Sequence, residues 1–255
     1  MRRTAIISDI HGNSVALDAV LADIDSQNVQ RIVCLGDVIG YGPHPEMCLD
    51  RVAEMDFCIL GNHDSSALFD PEGFNRAAES AIFWTRNRIQ HSDDGGESAR
   101  RRMQFICQLP RMVVEDDVWF VHGSPRAPTN EYVFPEDAQN PKKLDKLFGV
   151  VRRLCFQGHT HVPGVFTTGG QFLTPDTQPD DGYDLSPGES ADKFMVNVGS
   201  VGQPRDGDPR SCYAIVDGDR LFFRRVEYDI ESIVRAIEAE PDLDNLLGYR
   251  LRDGR

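Results

Sequence analysis

Five short polar motifs in this chain combine histidine, aspartate and asparagine at spacings suited to binding metal ions. In chain order they are Asp9-Ile10-His11, Gly36-Asp37, Gly61-Asn62-His63-Asp64, His122-Gly123 and Gly158-His159-Thr160-His161. Imidazole nitrogens, together with carboxylate and amide oxygens, suit divalent transition ions. In an extended segment, residues two positions apart point to the same side, so Asp-x-His and His-x-His each present two ligands together. The motifs therefore predict a metal site.

The elements that must bring these motifs together are short apolar runs. Four of the five motifs directly follow a run typical of a buried strand, at residues 4–8, 32–35, 57–60 and 118–121. A weaker run at residues 153–157 precedes the fifth motif. In open α/β sheets, ligands sit beyond the carboxyl ends of the strands. We therefore expect the five motifs to converge although they are far apart in sequence.

Helical periodicity separates these strands and indicates a mainly parallel, right-handed α/β arrangement. The predicted helices are at residues 15–24, 45–55 and 76–90, the last with Ile82, Phe83 and Ile89 turned inward. Residues 92–102 carry charge and a Gly pair, which is typical of a surface excursion that runs into a helix.

The second half of the chain predicts a second, more antiparallel sheet. Strand candidates follow one another at residues 112–114, 118–121, 165–167, 172–174, 194–198, 212–216 and 221–226. A helix at residues 230–239 is expected to close the domain, and the tail from Tyr249 is expected to be loose. Residues 174–192 are crowded with Pro, Asp, Gly and Ser, which predicts an exposed loop that could border the active site. No linker-like stretch divides the chain, so residues 1–255 are interpreted as a single domain.

The composition indicates which partners the protein can bind and in which cellular compartment it is expected. A formal net charge of -14 repels nucleic-acid phosphates and disfavours non-specific binding along DNA or RNA. A small phosphate ester stays compatible, because bound metal ions reverse the local sign. Four cysteines lie in apolar strand-like runs without Cys-x-x-Cys spacing, as expected for buried thiols in a reducing compartment. No apolar stretch has the length of a signal peptide or membrane span, so we expect a cytoplasmic protein without membrane contact.

The ordered set of motifs resembles the calcineurin-like metallophosphoesterase superfamily. Gly-Asn-His-Asp followed by Gly-His-Thr-His is the specific part of the match. The segment Gly40-Tyr41-Gly42-Pro43 and the Gly-rich loop at residues 199–207 resemble those of small prokaryotic phosphodiesterase-like members. The resemblance implies an α/β fold, a four-layer α/β/β/α sandwich of two mixed β-sheets flanked by helices. It also implies hydrolysis of model phosphodiesters with Mn or Ni.

The resemblance further implies a role for each motif residue. One divalent ion takes Asp9, His11 and His161, the other takes Asn62, His122 and His159, and the Asp37 carboxylate bridges them. A water held between two such ions is acidified to hydroxide and attacks phosphorus in line. His63 faces the leaving group as general acid, and Asp64 orients the His63 imidazole. Manganese is the favoured metal, with Fe, Zn, Ni and Co as alternatives.

The substrate is less closely defined than the metal site. Arg205, on the Gly-rich loop, and Arg126, after His122-Gly123, are candidates for binding the substrate phosphate. Ser/Thr protein phosphatases and symmetrical dinucleoside tetraphosphatases carry an arginine soon after the bridging aspartate, whereas Asp37 is followed by Val-Ile-Gly-Tyr-Gly. This difference favours a phosphodiesterase that acts on a small phosphoester. The alternatives are a phosphomonoesterase or protein phosphatase, a dinucleoside polyphosphate hydrolase, and a catalytically silent scaffold of the same fold. The oligomeric state stays open.

Overall fold

Strands supply the frame on which the polar motifs are mounted. The computed structural model describes residues 2–91, 94–188 and 192–255. Within these ranges the strands β1 to β12 are, in chain order, Thr4–Ile7, Arg31–Cys34, Phe57–Cys58, Met112–Glu115, Val118–Val121, Leu154–Gln157, Gly164–Thr167, Phe172–Leu173, Tyr183–Asp184, Phe194–Asn197, Ser211–Asp217 and Arg220–Val226. The strands predicted before the five motifs correspond to β1, β2, β3, β5 and β6.

Helices connect and cover these strands. In the described residues, α1 to α8 are Ser14–Ser26, Pro45–Val52, Asn62–Leu68, Arg76–Ile89, Glu97–Gln108, Pro141–Phe148, Ile230–Glu238 and Leu246–Tyr249, with 3-10 helices at Pro135–Gln139, Pro175–Thr177 and Arg250–Asp253. Local sequence explains several helix starts. Asn13, Asn75 and Asp229 each accept a hydrogen bond from a backbone N–H in the first turn of α1, α4 and α7. Among the described residues, no helix is long and apolar enough to cross a membrane.

The described strands form two sheets of six, and both sheets are mixed. The first has the order β3-β2-β1-β11-β12-β9, with β1, β2 and β3 parallel and the remaining pairings antiparallel. The second has the order β4-β5-β6-β10-β7-β8, with parallel pairs at its centre. Placing β11 and β12 in the second sheet was wrong. They extend the first sheet because β1 has a free edge, where Ala5 pairs with Ile215 of β11.

Alternation along the strands creates the layers. Ile6 of β1 faces the second sheet, while its neighbours Ala5 and Ile7 pack with helices α1 and α2. The two sheets meet face to face, with the rings of Phe57 and Phe120 5.2 Å apart. On the far side, β6 and β10 pack with α6. The predicted four-layer α/β/β/α fold is therefore confirmed, whereas the single-domain interpretation of residues 1–255 stays a prediction.

Three local predictions were wrong or only partly right. Phe83 is 41% exposed and does not turn inward with Ile82 and Ile89. The tail is not loose, because α8 and the last 3-10 helix continue to residue 253 and Leu251 is buried. Residues 174–188 are not exposed throughout, because β9 pairs with β12 and both Tyr183 and Leu185 are buried. The remaining parts of the two predicted surface segments, residues 92–93 and 189–191, lie outside the described residues.

Candidate metal centre

The turns that follow the strands have an unusual backbone conformation. In the described ranges, eight non-glycine residues have positive φ, and five of these are predicted ligands: Asp9, His11, Asp37, His159 and His161. Left-handed backbone at such residues costs about 1–3 kcal/mol each and persists where the surroundings fix it, commonly at functional sites. Here the Asp9 N–H donates to the Gly36 carbonyl at 3.0 Å and the His11 N–H to the Asp37 carbonyl at 2.9 Å. The turns after β1 and β2 are thereby joined directly.

Two motif glycines allow the turns to approach one another. A Cβ on Gly61 would overlap the Asp37 carboxylate, and a Cβ on Gly158 would overlap the side chains of Ser8 and Asp9. Any side chain at either position would displace a predicted ligand. The glycines of Gly-Asn-His-Asp and Gly-His-Thr-His are therefore required by close packing.

One cluster of buried side chains joins the first and last motifs. His161 Nε2 lies 3.1 Å from Asp9 Oδ1 and 3.1 Å from His11 Nε2. His11 Nε2 is 3.8 Å from Asp9 Oδ1. These three residues are the ligand set that the sequence predicts for one metal ion.

A second cluster joins the third, fourth and fifth motifs. His122 Nε2 lies 3.0 Å from Asn62 Oδ1 and 3.1 Å from His159 Nδ1. These are the three residues predicted for the other ion. Strands β5 and β6 are parallel neighbours, so their carboxyl ends bring His122 and His159 together.

Asp37 connects the two clusters through a single oxygen. Its Oδ2 atom is 3.7 Å from His11 Nε2 and 3.3 Å from His122 Nε2. The other oxygen, Oδ1, accepts a hydrogen bond from the His63 backbone N–H at 2.8 Å. That hydrogen bond fixes the carboxylate and leaves Oδ2 between the two clusters.

Hydrogen bonds behind the clusters show that the residues fit metal ions. His122 Nδ1–H donates to the Leu35 carbonyl at 2.9 Å, and His161 Nδ1–H donates to the Gln203 carbonyl at 2.5 Å. Since a carbonyl only accepts and burial lowers the pKa of His161, the neutral His161 ring presents its Nε2 lone pair to the centre. His161 Nε2 and Asp9 Oδ1 then face each other as two acceptors. A cation between them removes the repulsion, so this donor set fits a divalent transition ion.

Charges in the centre depend strongly on one another. Burial opposes ionisation of Asp37, but the neighbouring His122 and His63 hold the pKa of Asp37 well below its usual value. Burial likewise opposes the charged form of His122, but Asp37 raises the pKa of His122 to about 10. Burial lowers the pKa of His159 to about 3, and the charge of His122 adds to this effect. The carboxylates of the centre are thus ionised although they are buried, and they stabilise positive charge placed beside them.

A family model described as the calcineurin-like phosphoesterase superfamily domain matches residues 2–220. The chain belongs to this superfamily. Its activity is therefore that of a hydrolase of phosphate esters, in a family that uses divalent metal ions.

Similar proteins cover the whole chain. The uncharacterized protein MJ0912 of Methanocaldococcus jannaschii is 34% identical over 261 residues, which span 98% of each chain. The crystal structure of a metallophosphoesterase from Sphaerobacter thermophilus matches with a TM-score of 0.81 at 34% identity, covering 100% of this chain and 99% of that one. The hypothetical protein PH1004 of Pyrococcus horikoshii OT3 shares the fold, with a TM-score of 0.76 at 20% identity and coverage of 100% and 99%. The phosphoesterase fold thus includes the C-terminal helices, which lie beyond the family match.

His63 lies beside the centre of this phosphoesterase. One ring nitrogen of His63, one of His11 and a carboxylate oxygen of Asp37 lie within 4.8 Å of one another. The His63 ring packs against Tyr41 at 4.5 Å and Phe74 at 4.8 Å. Burial lowers the pKa of His63 to about 4. The imidazole is thus held in a partly aromatic wall next to the predicted ligands.

The prediction that Asp64 orients His63 needs correction. Asp64 Oδ1 accepts hydrogen bonds from the Val38 and Ile39 N–H groups at 3.0 and 3.2 Å, and Oδ2 accepts one from the Gly61 N–H at 3.1 Å. Within the described ranges, no hydrogen bond joins Asp64 to His63, and His63 Nδ1 is buried without a partner. Asp64 instead fixes the loop after Asp37 to the start of α3.

The two candidate arginines have different surroundings. Arg205 donates to Gln203 Oε1 at 2.8 Å and lies 3.4 Å from the Tyr41 hydroxyl, and its backbone N–H reaches the His161 carbonyl at 3.3 Å. It therefore lies at the edge of the metal centre. Arg126 is ion-paired with Glu131, and no contact in the described part of the chain connects it to the ligand clusters.

Three residues near the centre were not selected from the sequence. Tyr41 packs 4.6 Å from the His11 ring, Tyr132 stacks on His159 at 3.7 Å, and the Arg250 guanidinium lies 4.7 Å from the Tyr41 ring centre. Tyr41 lies in the Gly-Tyr-Gly-Pro segment, whose resemblance to other family members could have identified it as a residue near the site. Tyr132 and Arg250 belong to no motif, so only the fold reveals them.

Proposed function

We propose that this phosphoesterase is a phosphodiesterase that cleaves a small phosphoester with two divalent ions. The observation that carries the proposal is the position of Asp37 Oδ2, within 3.7 Å of His11 Nε2 and 3.3 Å of His122 Nε2. One carboxylate oxygen between two ligand clusters is the arrangement that a dinuclear site requires. When bound, the two ions supply Lewis acidity, which acidifies water for attack on phosphorus and stabilises charge on the phosphoryl oxygens.

The protein's own side chains supply binding and proton transfer. His63 is the proposed general acid, because its ring adjoins His11 and Asp37 and is held by Tyr41 and Phe74. Burial lowers the pKa of His63 in the free protein, and the negative charge of a bound phosphate ester would raise it again. Arg205 is the proposed phosphate ligand, since it pairs with no carboxylate in the described residues and lies beside His161. Asp64 is assigned a positioning role only, through the three backbone N–H groups that it holds.

Manganese is the proposed metal, with Fe, Zn, Ni and Co as the alternatives that the same nitrogen and oxygen ligands accept. A small phosphoester is the proposed partner, and the net charge of -14 argues against binding along a nucleic-acid backbone. A reducing, cytoplasmic setting is proposed from the free cysteines, four of which are the buried strand residues Cys34, Cys58, Cys155 and Cys212.

Hydrolysis of two model esters tests this function. Chelator-stripped protein is assayed with bis-p-nitrophenyl phosphate and p-nitrophenyl phosphate after separate addition of Mn, Ni, Zn, Co and Mg. We expect metal-restored cleavage that favours the diester. His63→Ala should retain both metals and lose turnover, most severely for esters with poor leaving groups, because these depend most on protonation.

The matched control is His91→Ala, an exposed histidine remote in sequence from the motifs, which should keep full activity. A preference for the monoester would replace the phosphodiesterase by a phosphatase. Full metal loading without turnover of either ester would support the alternative that the protein is a catalytically silent scaffold of the same fold.

A further inference from the structure

An open cavity of about 600 Å³ is lined by residues next to the last motif, among them Arg205, whose backbone N–H donates to the His161 carbonyl at 3.3 Å. Thr160 and Val162, the sequence neighbours of the predicted ligand His161, also line it. Thr174, Pro175 and Asp176, from the segment after β8, line the same cavity. The volume lies within the range of pockets that hold small organic molecules.

The walls of this cavity are largely aromatic and apolar. Phe134, Pro163 and Phe172 contribute to them. Phe134 is 45% exposed, so part of its ring is free to contact a ligand. Its ring lies parallel to that of Tyr132 at 5.3 Å, and Tyr132 stacks on His159 at 3.7 Å. A continuous series of ring contacts therefore leads from a predicted metal ligand to the cavity wall.

Among the described residues that line the cavity, one cation is available to a ligand. Two arginines line it, but Arg225 is ion-paired with Asp206. Arg205 has no carboxylate partner within the described ranges and contacts Gln203 and Tyr41 instead. A phosphate that reaches the metal centre can therefore meet Arg205, while the organic part of the same ester extends along the apolar wall.

Two exposed carboxylates also line the cavity. Glu136 and Asp176 line the cavity, are exposed, and have no ion-pair partner among the residues that the structure describes. A ligand with further phosphate groups in this cavity would be repelled by them. The chemistry of the cavity therefore suits an uncharged group that is flat and apolar, with a few polar atoms near these carboxylates.

From these observations we infer that the cavity bordered by Phe134 and Val162 binds the non-leaving organic group of the substrate, and that this group is an uncharged aromatic ring system. The inference rests on the proposed phosphodiesterase function and names its substrate class. An aryl group and a nucleoside base share this chemistry, and both differ from the charged tail of a dinucleoside polyphosphate.

Phosphodiesters with one common leaving group test the inference. The substrates are methyl, phenyl and thymidine-5′ esters of p-nitrophenyl phosphate, so that only the non-leaving group differs. Because stacking of a flat ring on an aromatic side chain favours binding, we expect kcat/KM for the phenyl or thymidine ester to exceed that for the methyl ester about tenfold. The ester with the larger kcat/KM shows whether the cavity prefers an aryl group or a nucleoside.

Two substitutions alter the cavity in opposite ways. Phe134→Ala removes the exposed ring, and Val162→Phe adds bulk to the cavity wall. Both should reduce the ratio of aromatic-ester to methyl-ester kcat/KM towards one. Val150→Phe is the matched control, because Val150 is 41% exposed and does not line the cavity. It should leave the ratio unchanged.

A binding measurement separates this inference from the proposed function. Calorimetry with the metal-loaded protein compares inorganic phosphate, phenyl phosphate and thymidine 5′-monophosphate, which requires no turnover. We expect at least one of the two esters to bind more tightly than phosphate, with the advantage lost in Phe134→Ala. Failure to hydrolyse any diester would overturn the function alone. The inference would be overturned if the methyl and aromatic diesters had equal kcat/KM and the aromatic monoesters bound no more tightly than phosphate. It would also be overturned if the higher kcat/KM of the aromatic esters persisted in both cavity variants.

Discussion

Asp37 is the residue on which the proposed dinuclear site depends most. Its Oδ2 atom serves both clusters, and the His63 N–H holds Oδ1 at 2.8 Å. Asp37→Ala should therefore lower the occupancy of both metal positions, whereas His159→Ala should lower chiefly one. Metal content measured after dialysis against limiting Mn gives the stoichiometry. Asp56→Ala, which removes a surface carboxylate, serves as the control. Two metal ions per chain in Asp37→Ala would rule out the bridging assignment.

Asp64 distinguishes a structural role from a catalytic one. The side chain is fully buried and accepts hydrogen bonds from three backbone N–H groups, so Asp64→Ala would leave three buried donors without a partner. We expect the free energy of unfolding to fall by about 3 kcal/mol or more, and less in Asp64→Asn, which keeps one acceptor oxygen. Thermal or urea unfolding measures this loss. Unchanged stability with an altered pH profile of kcat would instead restore the predicted orientation of His63.

The clustering of the motif residues was predictable from sequence because a strand followed by a polar turn is a local pattern. Asp9 and His161 are 152 positions apart, yet both follow strands, β1 in the first sheet and β6 in the second, and the two turns meet where the sheets face each other. The partners of Asp64 were not predictable in this way. Which of several nearby donors a carboxylate accepts from depends on turn geometry of a few tenths of an ångström. Tyr132 lies in a loop with no periodic pattern, so its stacking on His159 has no sequence signal.

Helix α1 is tied to the first sheet by a polar contact in addition to its apolar face. Asp23 accepts hydrogen bonds from the Tyr213 hydroxyl at 2.7 Å and from Arg224 at 2.8 Å. Burial alone would raise the pKa of Asp23, but Arg224 and Tyr213 lower it below its usual value. Asp23→Asn should cost about 1–2 kcal/mol at pH 7.

The pH dependence of that loss has a definite sign. A carboxyl whose pKa is lowered by folding stabilises the protein above its unfolded pKa of about 3.9, and this contribution disappears as the pH falls through the folded value. The stability difference between wild type and Asp23→Asn should thus be constant from pH 7 to 5 and shrink below about pH 4. Asp25→Asn, on the exposed side of the same helix, should change stability by less than about 0.5 kcal/mol. A difference that grows in acid would contradict the assignment.

At the level of elements, sequence patterns identified strands well and their partners less well. An apolar run such as Val118–Val121 is recognisable by itself, and its bounds agree with β5. Sheet membership is different, because β11 joins β1 across more than two hundred residues and nothing local encodes that pairing. The prediction that Phe83 points inward was wrong. Phe83 belongs to the same apolar stretch as Ile82, but adjacent residues of a helix lie on different faces.

The whole chain closes on the metal centre from both ends. Asp9 and His11 follow the first strand, and the last 3-10 helix places Arg250 against Tyr41, which packs on His11. Leu247 and Leu251 belong to the same apolar cluster as Tyr41 and Ile233. A tail expected to be loose is therefore part of the wall behind the site. Composition did not reveal this, because the tail is short and mostly polar, and its few apolar residues acquire a partner surface only in the folded chain.

Two neighbouring leucines test whether the tail supports the centre. Leu251 is 3% exposed, whereas Leu246 is 65% exposed. Leu251→Ala should lower the free energy of unfolding by about 2–4 kcal/mol, because it leaves a cavity beneath Tyr41. Leu246→Ala should change it by less than about 0.5 kcal/mol. Since Tyr41 contacts His11 and His63, Leu251→Ala should also weaken Mn binding in a titration at a temperature where the variant is fully folded. Equal stability of the two variants would mean that the tail is loose after all, and normal Mn affinity in a destabilised Leu251→Ala would limit the tail to a structural role.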